Sequence, residues 1–324
     1  MGMQLTTGLI KRRTLVLGGL VGLGVLACSK PVPLRIAGHP WPGYETLFYA
    51  QAQGWLPPDV ALLFSATQRE SIDALQAGTA DAAMLTLDEA LALQVKGIAL
   101  EIVLVFDVSR GADALVVRPG IATLSQLRGR TIGLEPSALG ELMLALVLDR
   151  AALTMRDVKL LRIPYEEQEA AFKSKRIDAL ISYEPVVGRL VDQGAHRLIS
   201  TRELPDSVFD VLAVRTDVGR ARASTLRATL LGHFKALEQL RSNPWDTAYR
   251  MAPHAGISAE ELVEAFRGLE LPDMVANRSY LSQKNGHLTT VSHKLSNILI
   301  QAGTIATPAN PDVLFTDAYL PEKL

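Results

Sequence analysis

The segment Phe106–Arg118, FDVSRGADALVVR, has a counterpart far along the chain in Phe209–Arg215, FDVLAVR. Both open on Phe-Asp, run through an apolar β-branched stretch and close on Val-Arg, and residues of that kind favour extended backbone. The pairing predicts two strands that cross in opposite directions between two lobes. Whatever lies between them is then one α/β lobe inserted into another built from both ends of the chain. The expected division is a leader at 1–28, the first part of lobe 1 at 29–116, lobe 2 at 117–208, and a mostly helical return to lobe 1 at 209–324. A cleft between lobes joined in this way suits a small ligand, and hinged strands let it close.

Alternation of strand and helix supports an α/β class on both sides of the crossing. Leu34–Ala37 opens the first strand and runs into His39-Pro40-Trp41-Pro42-Gly43-Tyr44, where prolines and a glycine break regular structure. Strands at Val60–Ser65, Ala82–Thr86 and Leu100–Phe106 then alternate with helices at Arg69–Ala77 and Leu87–Lys96. Thr67-Gln68-Arg69-Glu70 and Thr86-Leu87-Asp88-Glu89 match the capping box, in which hydroxyl and carboxylate satisfy free amides at a helix start. Between the crossings the same rhythm gives strands at Arg130–Leu134, Val158–Ile163, Ile177–Ser182 and Arg197–Ser200. After the return, Ala223–Leu240 reads as a helix stopped by Asn243-Pro244, and the last helices are expected to pack on lobe 1.

With 324 residues the chain is long enough for two domains, and 33 bases against 34 acids leave no electrostatic footprint for nucleic acid. Lys11-Arg12-Arg13 precedes an uncharged apolar run from Thr14 to Ala27, too short for a comfortable transmembrane helix. It ends at Ala27-Cys28, the only cysteine. This resembles a bacterial lipoprotein signal, with Cys28 as the acylated first residue and the lipid as the only membrane attachment. One cysteine also fits an exported chain without disulfides. Arg12-Arg13 leaves the general and the twin-arginine export routes both open.

Several short motifs recur in one order: Trp41-Pro42-Gly43-Tyr44-Glu45, Leu75-Gln76-Ala77-Gly78-Thr79-Ala80-Asp81, Thr86-Leu87-Asp88-Glu89-Ala90-Leu91, Asp107-Val108-Ser109, Gly111-Ala112-Asp113-Ala114 and Tyr183-Glu184-Pro185. In these the chain resembles the solute-binding proteins of ABC importers of the nitrate/sulfonate/taurine group. The resemblance implies the type II periplasmic-binding fold, with two α/β lobes joined by two crossover strands around a ligand cleft. It further implies a monomer outside the cytoplasmic membrane that captures a small-molecule solute and passes it to an ABC permease and ATPase. No cofactor and no catalysis are implied. One branch of the superfamily makes the pyrimidine part of thiamin with a cysteine-rich segment and iron, which this chain cannot supply. A ligand-sensing lipoprotein on the same fold stays open.

Ligands of open α/β lobes sit beyond the carboxyl ends of the strands. The sequence places Trp41, Gly43 and Tyr44, Thr86 and Asp88, Asp107 and Ser109, Glu135 and Ser137, Tyr183 and Glu184, and Asp210 there. Gly111, Ala112 and Asp113 form the expected hinge. Carboxylates outnumber bases, Arg110 being the only base in these loops, and a dense anion would meet repulsion in a dry site. The expectation is a neutral or cationic nitrogenous ligand stacked on Trp41 or a tyrosine. The alternatives are an anion of the nitrate, sulfonate or taurine type and a pyrimidine precursor. Each acid also has a structural reading, Asp88, Glu135 and Glu184 as helix-start residues and Asp107 and Asp210 as turn residues. His39, His196, His233, His254, His287 and His293 are scattered, so no metal site is expected. Neither a nucleophile elbow nor a phosphate-binding loop is present.

Overall fold

The strand–helix alternation builds two separate sheets in the computed structural model, which describes residues 1, 2, 4, 32–282 and 286–323. The apolar leader run and Cys28 lie outside the described residues. The strands are β1 Leu34–Gly38, β2 Val60–Phe64, β3 Ala82–Thr86, β4 Leu100–Ser109, β5 Asp113–Val117, β6 Thr131–Leu134, β7 Lys159–Arg162, β8 Ala179–Tyr183, β9 His196–Ser200, β10 Phe209–Arg215 and β11 Leu269–Glu270. One sheet runs β2-β1-β3-β10-β4-β11 and the other β7-β6-β8-β5-β9.

The two sheets share one plan. In the first, β2, β1 and β3 are parallel and β10 lies antiparallel between β3 and β4. In the second, β7, β6 and β8 are parallel and β5 lies antiparallel between β8 and β9. Each antiparallel strand is the first one reached after the chain passes from the other lobe. This is the two-lobed α/β architecture expected, and Pro33–Leu324 form one compact unit.

The apolar runs explain why the central strands sit inside. Ile36, Met84, Leu85, Val211 and Leu212 are fully buried, as strands covered on both faces require. The first passage lies at Arg110–Ala112, earlier than the boundary expected between residues 116 and 117. The reason is the period of two along β5: Leu115 and Val117 join one hydrophobic cluster of lobe 2, while Ala114 and Val116 join another. Phe209–Arg215 does not itself cross. The second passage is Thr201–Val208, and β10 pairs with β4 so that Phe209 faces Val108 and Asp210 faces Asp107. The likeness of the two Phe-Asp segments therefore marks neighbouring strands of one sheet.

The passages are tied to each other. The Thr201 hydroxyl lies 2.7 Å from Ser109 Oγ and accepts the Gly111 N–H at 2.7 Å, while the Thr201 N–H donates to the Asp113 carbonyl at 2.9 Å. Gly111 has φ +124°, a conformation that favours glycine.

The helices are α1 Glu45–Ala52, α2 Gln68–Ala77, α3 Leu87–Val95, α4 Ala138–Ala151, α5 Tyr165–Lys173, α6 Val186–Asp192, α7 Thr216–Ala221, α8 Ala223–Ser242, α9 Pro244–Ala255, α10 Ala259–Arg267, α11 Met274–Leu281 and α12 His287–Gln301. Pro244 follows the end of α8 as expected but also begins α9, because proline fits the first helical position. Contrary to the expectation for the return helices, α12 packs on α4 of lobe 2 as well as on α3 of lobe 1. Among the described residues no helix is long and apolar enough to cross a membrane.

Candidate functional site

Sheet register aligns three polar side chains at the edge of lobe 1. Asp210 on β10 faces Thr86 on β3 and Asp107 on β4, so the three form a row across adjacent strands. The loop after β1 folds over this row. Trp41 Nε1 donates to Asp107 Oδ2 at 3.1 Å, and the Tyr44 hydroxyl donates to Asp210 Oδ1 at 2.5 Å. A Cβ at Gly43 would lie 1.7 Å from Asp107 Oδ2, so only glycine lets the loop close here. Gly43 is thus a support for Asp107 instead of a ligand contact.

Lobe 2 brings Asp113, at the start of β5, opposite Tyr183 at the end of β8. Tyr183 stacks on Tyr165 with ring centroids 4.4 Å apart and meets Trp41 edge-on at 5.5 Å, so an aromatic run crosses from one lobe to the other. Where the lobes meet, an inner chamber of about 20 Å³ is lined by Trp41, Gln68, Thr86, Asp113, Leu139, Tyr183 and Asp210, with His39, Pro40 and Val208 completing it. That is room for about one water molecule. Beside it opens a groove of about 640 Å³ that shares Gln68 and is lined by Glu89, Glu135, Ser137 and Tyr165 among others.

The chamber and its surroundings hold several acceptors that nothing satisfies, of which Thr86 Oγ1 and Asp113 Oδ2 belong to residues lining the chamber itself. Thr86 Oγ1, Asp113 Oδ2, Asp107 Oδ1, both oxygens of Asp88 and Glu89 Oε1 are buried without a hydrogen-bond partner. Such groups cost free energy unless something supplies the missing donors. Burial pushes the Asp113 carboxyl up to about 7, with Asp88 and Glu184 adding repulsion. Asp107 is likewise pushed up to about 7 by burial, against the stabilising Trp41 hydrogen bond. Asp210 is raised well above the carboxylate range by burial and by the charge of Asp107, and Glu89 is raised by burial and Asp88. Among the described residues no lysine or arginine lines the chamber. Its one imidazole, His39, is driven down to about 3 by desolvation and is neutral, held 3.3 Å from the Ser71 hydroxyl.

Of the residues the sequence proposed, the structure gathers Trp41, Thr86, Tyr183 and Asp210 around the chamber. Tyr44 and Asp107 stand behind them, and Glu135 and Ser137 line the groove. Asp113, expected to act as a hinge, lines the chamber, because the passage ends just before it. Ser109 is taken up in fastening the passages, its hydroxyl bonded to Thr201 and accepting the Asp113 N–H at 3.2 Å. Glu184 turns away from the chamber: it accepts the Gly188 N–H at 2.8 Å at the start of α6 and pairs with Arg197 at 2.7 Å. Asp88 is wholly buried and lines neither cavity. Ser137 caps α4, accepting the Gly140 N–H at 3.1 Å.

Sequence reasoning missed His39, Gln68, Leu139, Glu89 and Tyr165 as lining residues. Glu89 was legible only as a cap, and it does accept the Thr86 N–H at 3.0 Å, but through one oxygen, leaving the other free for the groove. Among the described residues no group of three or more His, Cys, Asp or Glu is arranged to hold a metal ion.

A family model described as the NMT1-like family matches residues 28–252. The chain belongs to this family. The match takes in lobe 2 and all the strands of the first sheet except β11, so every residue around the chamber falls inside the NMT1-like region. A relative in Brucella abortus (strain 2308), called "Putative binding protein", is 28% identical over 217 residues, 65% of this chain and 67% of its own length. Among solved structures, the periplasmic aliphatic sulphonate binding protein of Escherichia coli superposes with a TM-score of 0.74 at 16% identity, over 91% of this chain and 95% of that one. The alkanesulfonate-binding protein of Xanthomonas axonopodis pv. citri, solved bound to MOPS, gives 0.70 at 17% identity, over 89% and 98%. A desulfurization enzyme shares the fold at a TM-score of 0.64 and 16% identity, over 88% of this chain and 97% of that one. This NMT1-like chain thus has the fold of solute-binding components of ABC importers.

Proposed function

We propose that the protein is a lipid-anchored, extracytoplasmic solute-binding component of an ABC importer that captures a small cationic nitrogenous solute by closure of its lobes. One observation carries the choice of ligand: the chamber between the lobes presents unpartnered oxygens of Asp113 and Thr86 beside Asp210, with no base among its lining residues. An ammonium or amidinium group supplies the donors and the charge such a site lacks, and the faces of Trp41 and Tyr183 add cation–π attraction. A sulfonate, as bound by the structural neighbours, would enter a chamber with acids and no cation to meet it. Closure follows because the acids come from both lobes and repel each other until a cation joins them; the closed form is then what the permease meets.

The test is a thermal-shift screen of the chain from residue 29 onward at pH 8, against amines, guanidinium compounds, pyrimidines, nitrate and sulfonates, since a ligand of the native state raises its apparent stability. Stabilisation by cations alone supports the reading, and stabilisation by sulfonates or nitrate alone refutes it. Recovery of the bound solute unaltered, by mass spectrometry, separates binding from the catalysis that this fold also supports. Lipid anchoring rests on Cys28 after the apolar run. Cys28→Ser should release the protein from membranes, and full retention would refute acylation.

A further inference from the structure

Two pairs of carboxylates confront each other across the junction of the lobes. In the chamber Asp113 of lobe 2 stands with Asp210 of lobe 1, and the charge of Asp113 adds to the repulsion felt by Asp210. In the groove Glu135, just past β6 in lobe 2, stands with Glu89, in the first turn of α3 in lobe 1, and the charge of Glu135 raises the Glu89 carboxyl further. Glu89 is 2% exposed and its Oε1 has no partner. The hydrogen bond recorded for the Glu135 carboxylate comes from the Ser137 hydroxyl at 3.3 Å.

The two pairs are connected. Gln68 lines both cavities, so chamber and groove share a wall. Tyr183 in the chamber and Tyr165 in the groove lie 5° from parallel and form one continuous aromatic step between them. Of the three bases at the groove, Arg69 is held by Asp73 at 3.0 Å and Arg162 by Glu141 at 2.6 Å, while Lys96 stands at the C-terminal end of α3, about two helical turns from Glu89 in its first turn. A compact monocation satisfies the chamber but leaves the second pair unbridged and most of the 640 Å³ groove unfilled.

Resting on the cation-binding reading of this site, we propose that the solute is an elongated dication: one ammonium or amidinium group lies between Asp113 and Asp210, an apolar stem runs along Tyr183 and Tyr165, and a second cationic group lies between Glu89 and Glu135. Each head then joins an acid of one lobe to an acid of the other, so both ends of the molecule favour closure. Linking two heads through one stem makes the second binding event intramolecular, which raises affinity without new kinds of contact.

Calorimetric titration of the full chain in detergent at pH 8, with a series of α,ω-diaminoalkanes and the monoaminoalkanes of equal length, tests this. One length of diamine should bind about 100-fold tighter than its monoamine, and Glu135→Gln should cut that ratio to within about threefold. Diamines that bind within about threefold of monoamines at every length overturn the dication and leave the cation reading standing. Survival of the diamine advantage in both Glu135→Gln and Glu89→Gln overturns it equally. Binding of sulfonates with no amine bound removes the underlying reading and the dication together. Should either variant fail to fold, the length series on the unaltered protein decides.

Discussion

Replacing Asp113 with Asn separates a ligand-binding acid from a structural one, because the two roles predict opposite changes in stability. The Asp113 carboxyl is 2% exposed and pushed up to about 7, against 3.8 for a solvated aspartate. The native state therefore binds more protons than the unfolded chain between those values, and stability is lost as pH rises from about 4 through about 7. At about 1.4 kcal/mol per pH unit, the full loss at pH 8 is about 4 kcal/mol as an upper bound. Asp113→Asn removes that penalty, so the ligand-free variant should be more stable than the parent at pH 8, by about 1–3 kcal/mol, and should show a flatter stability–pH profile. The same change removes the charge that meets a bound cation in a dry site. Truncating one partner of such a pair costs about 2–4 kcal/mol, a loss of roughly 30- to 700-fold in affinity. Urea unfolding at pH 5 and pH 8, with calorimetric titration of the best cation from the screen, reads both quantities. A variant less stable than the parent at pH 8 with undiminished affinity would refute the assignment of Asp113 to the ligand.

Cation affinity itself should rise between pH 6 and pH 8, because a bound cation favours ionised Asp107 and Asp113, each held near 7 by burial. Titration in buffers of different ionisation heat should then show protons released on binding, and proton uptake would count against the site. Gly43→Ala should lose about 1–3 kcal/mol of stability, since its Cβ would fall 1.7 Å from Asp107 Oδ2; an unchanged unfolding midpoint would mean the loop can move aside. Trp41→Phe keeps a ring against Tyr183 but removes the N–H held by Asp107. It should cost about 1–3 kcal/mol at pH 8 and less at pH 5, where Asp107 is protonated, so equal losses at both pH values would speak against the hydrogen bond.

The alternating segments were legible because local chemistry dictates them. Thr67 accepts the Glu70 N–H at 3.3 Å and Glu89 accepts the Thr86 N–H at 3.0 Å, helix-start contacts expected of these two segments. What could not be read is pairing between distant strands. That Asp107 and Asp210 share one face of the sheet follows from the β4–β10 register, which no local pattern encodes. Most strand ends were found to within two residues, but β4 runs on to Ser109 past the expected end at Phe106, so Asp107 and Ser109 lie in the strand and not beyond it. The direction of each side chain also depends on partners supplied by other segments. Arg197 draws Glu184 outward and Thr201 draws Ser109 into the passages, whereas Asp113 finds no such partner for Oδ2 and is left facing the chamber. Glu89 was concealed by its own cap, since a carboxylate has two oxygens and the helix start uses only one.

The hydroxyl of Thr201, at the start of the second passage, meets Ser109 Oγ and the Gly111 amide of the first, and the Ser109 N–H donates to the carbonyl of Val208, at the end of the second passage, at 3.0 Å. Laced at both ends in this way, the two passages make one strap instead of two independent linkers. Asp113, whose carbonyl accepts the Thr201 N–H at 2.9 Å, is fixed to that strap. In the proposed capture, the carboxylate that meets the solute is therefore held by the same strap about which the lobes would close.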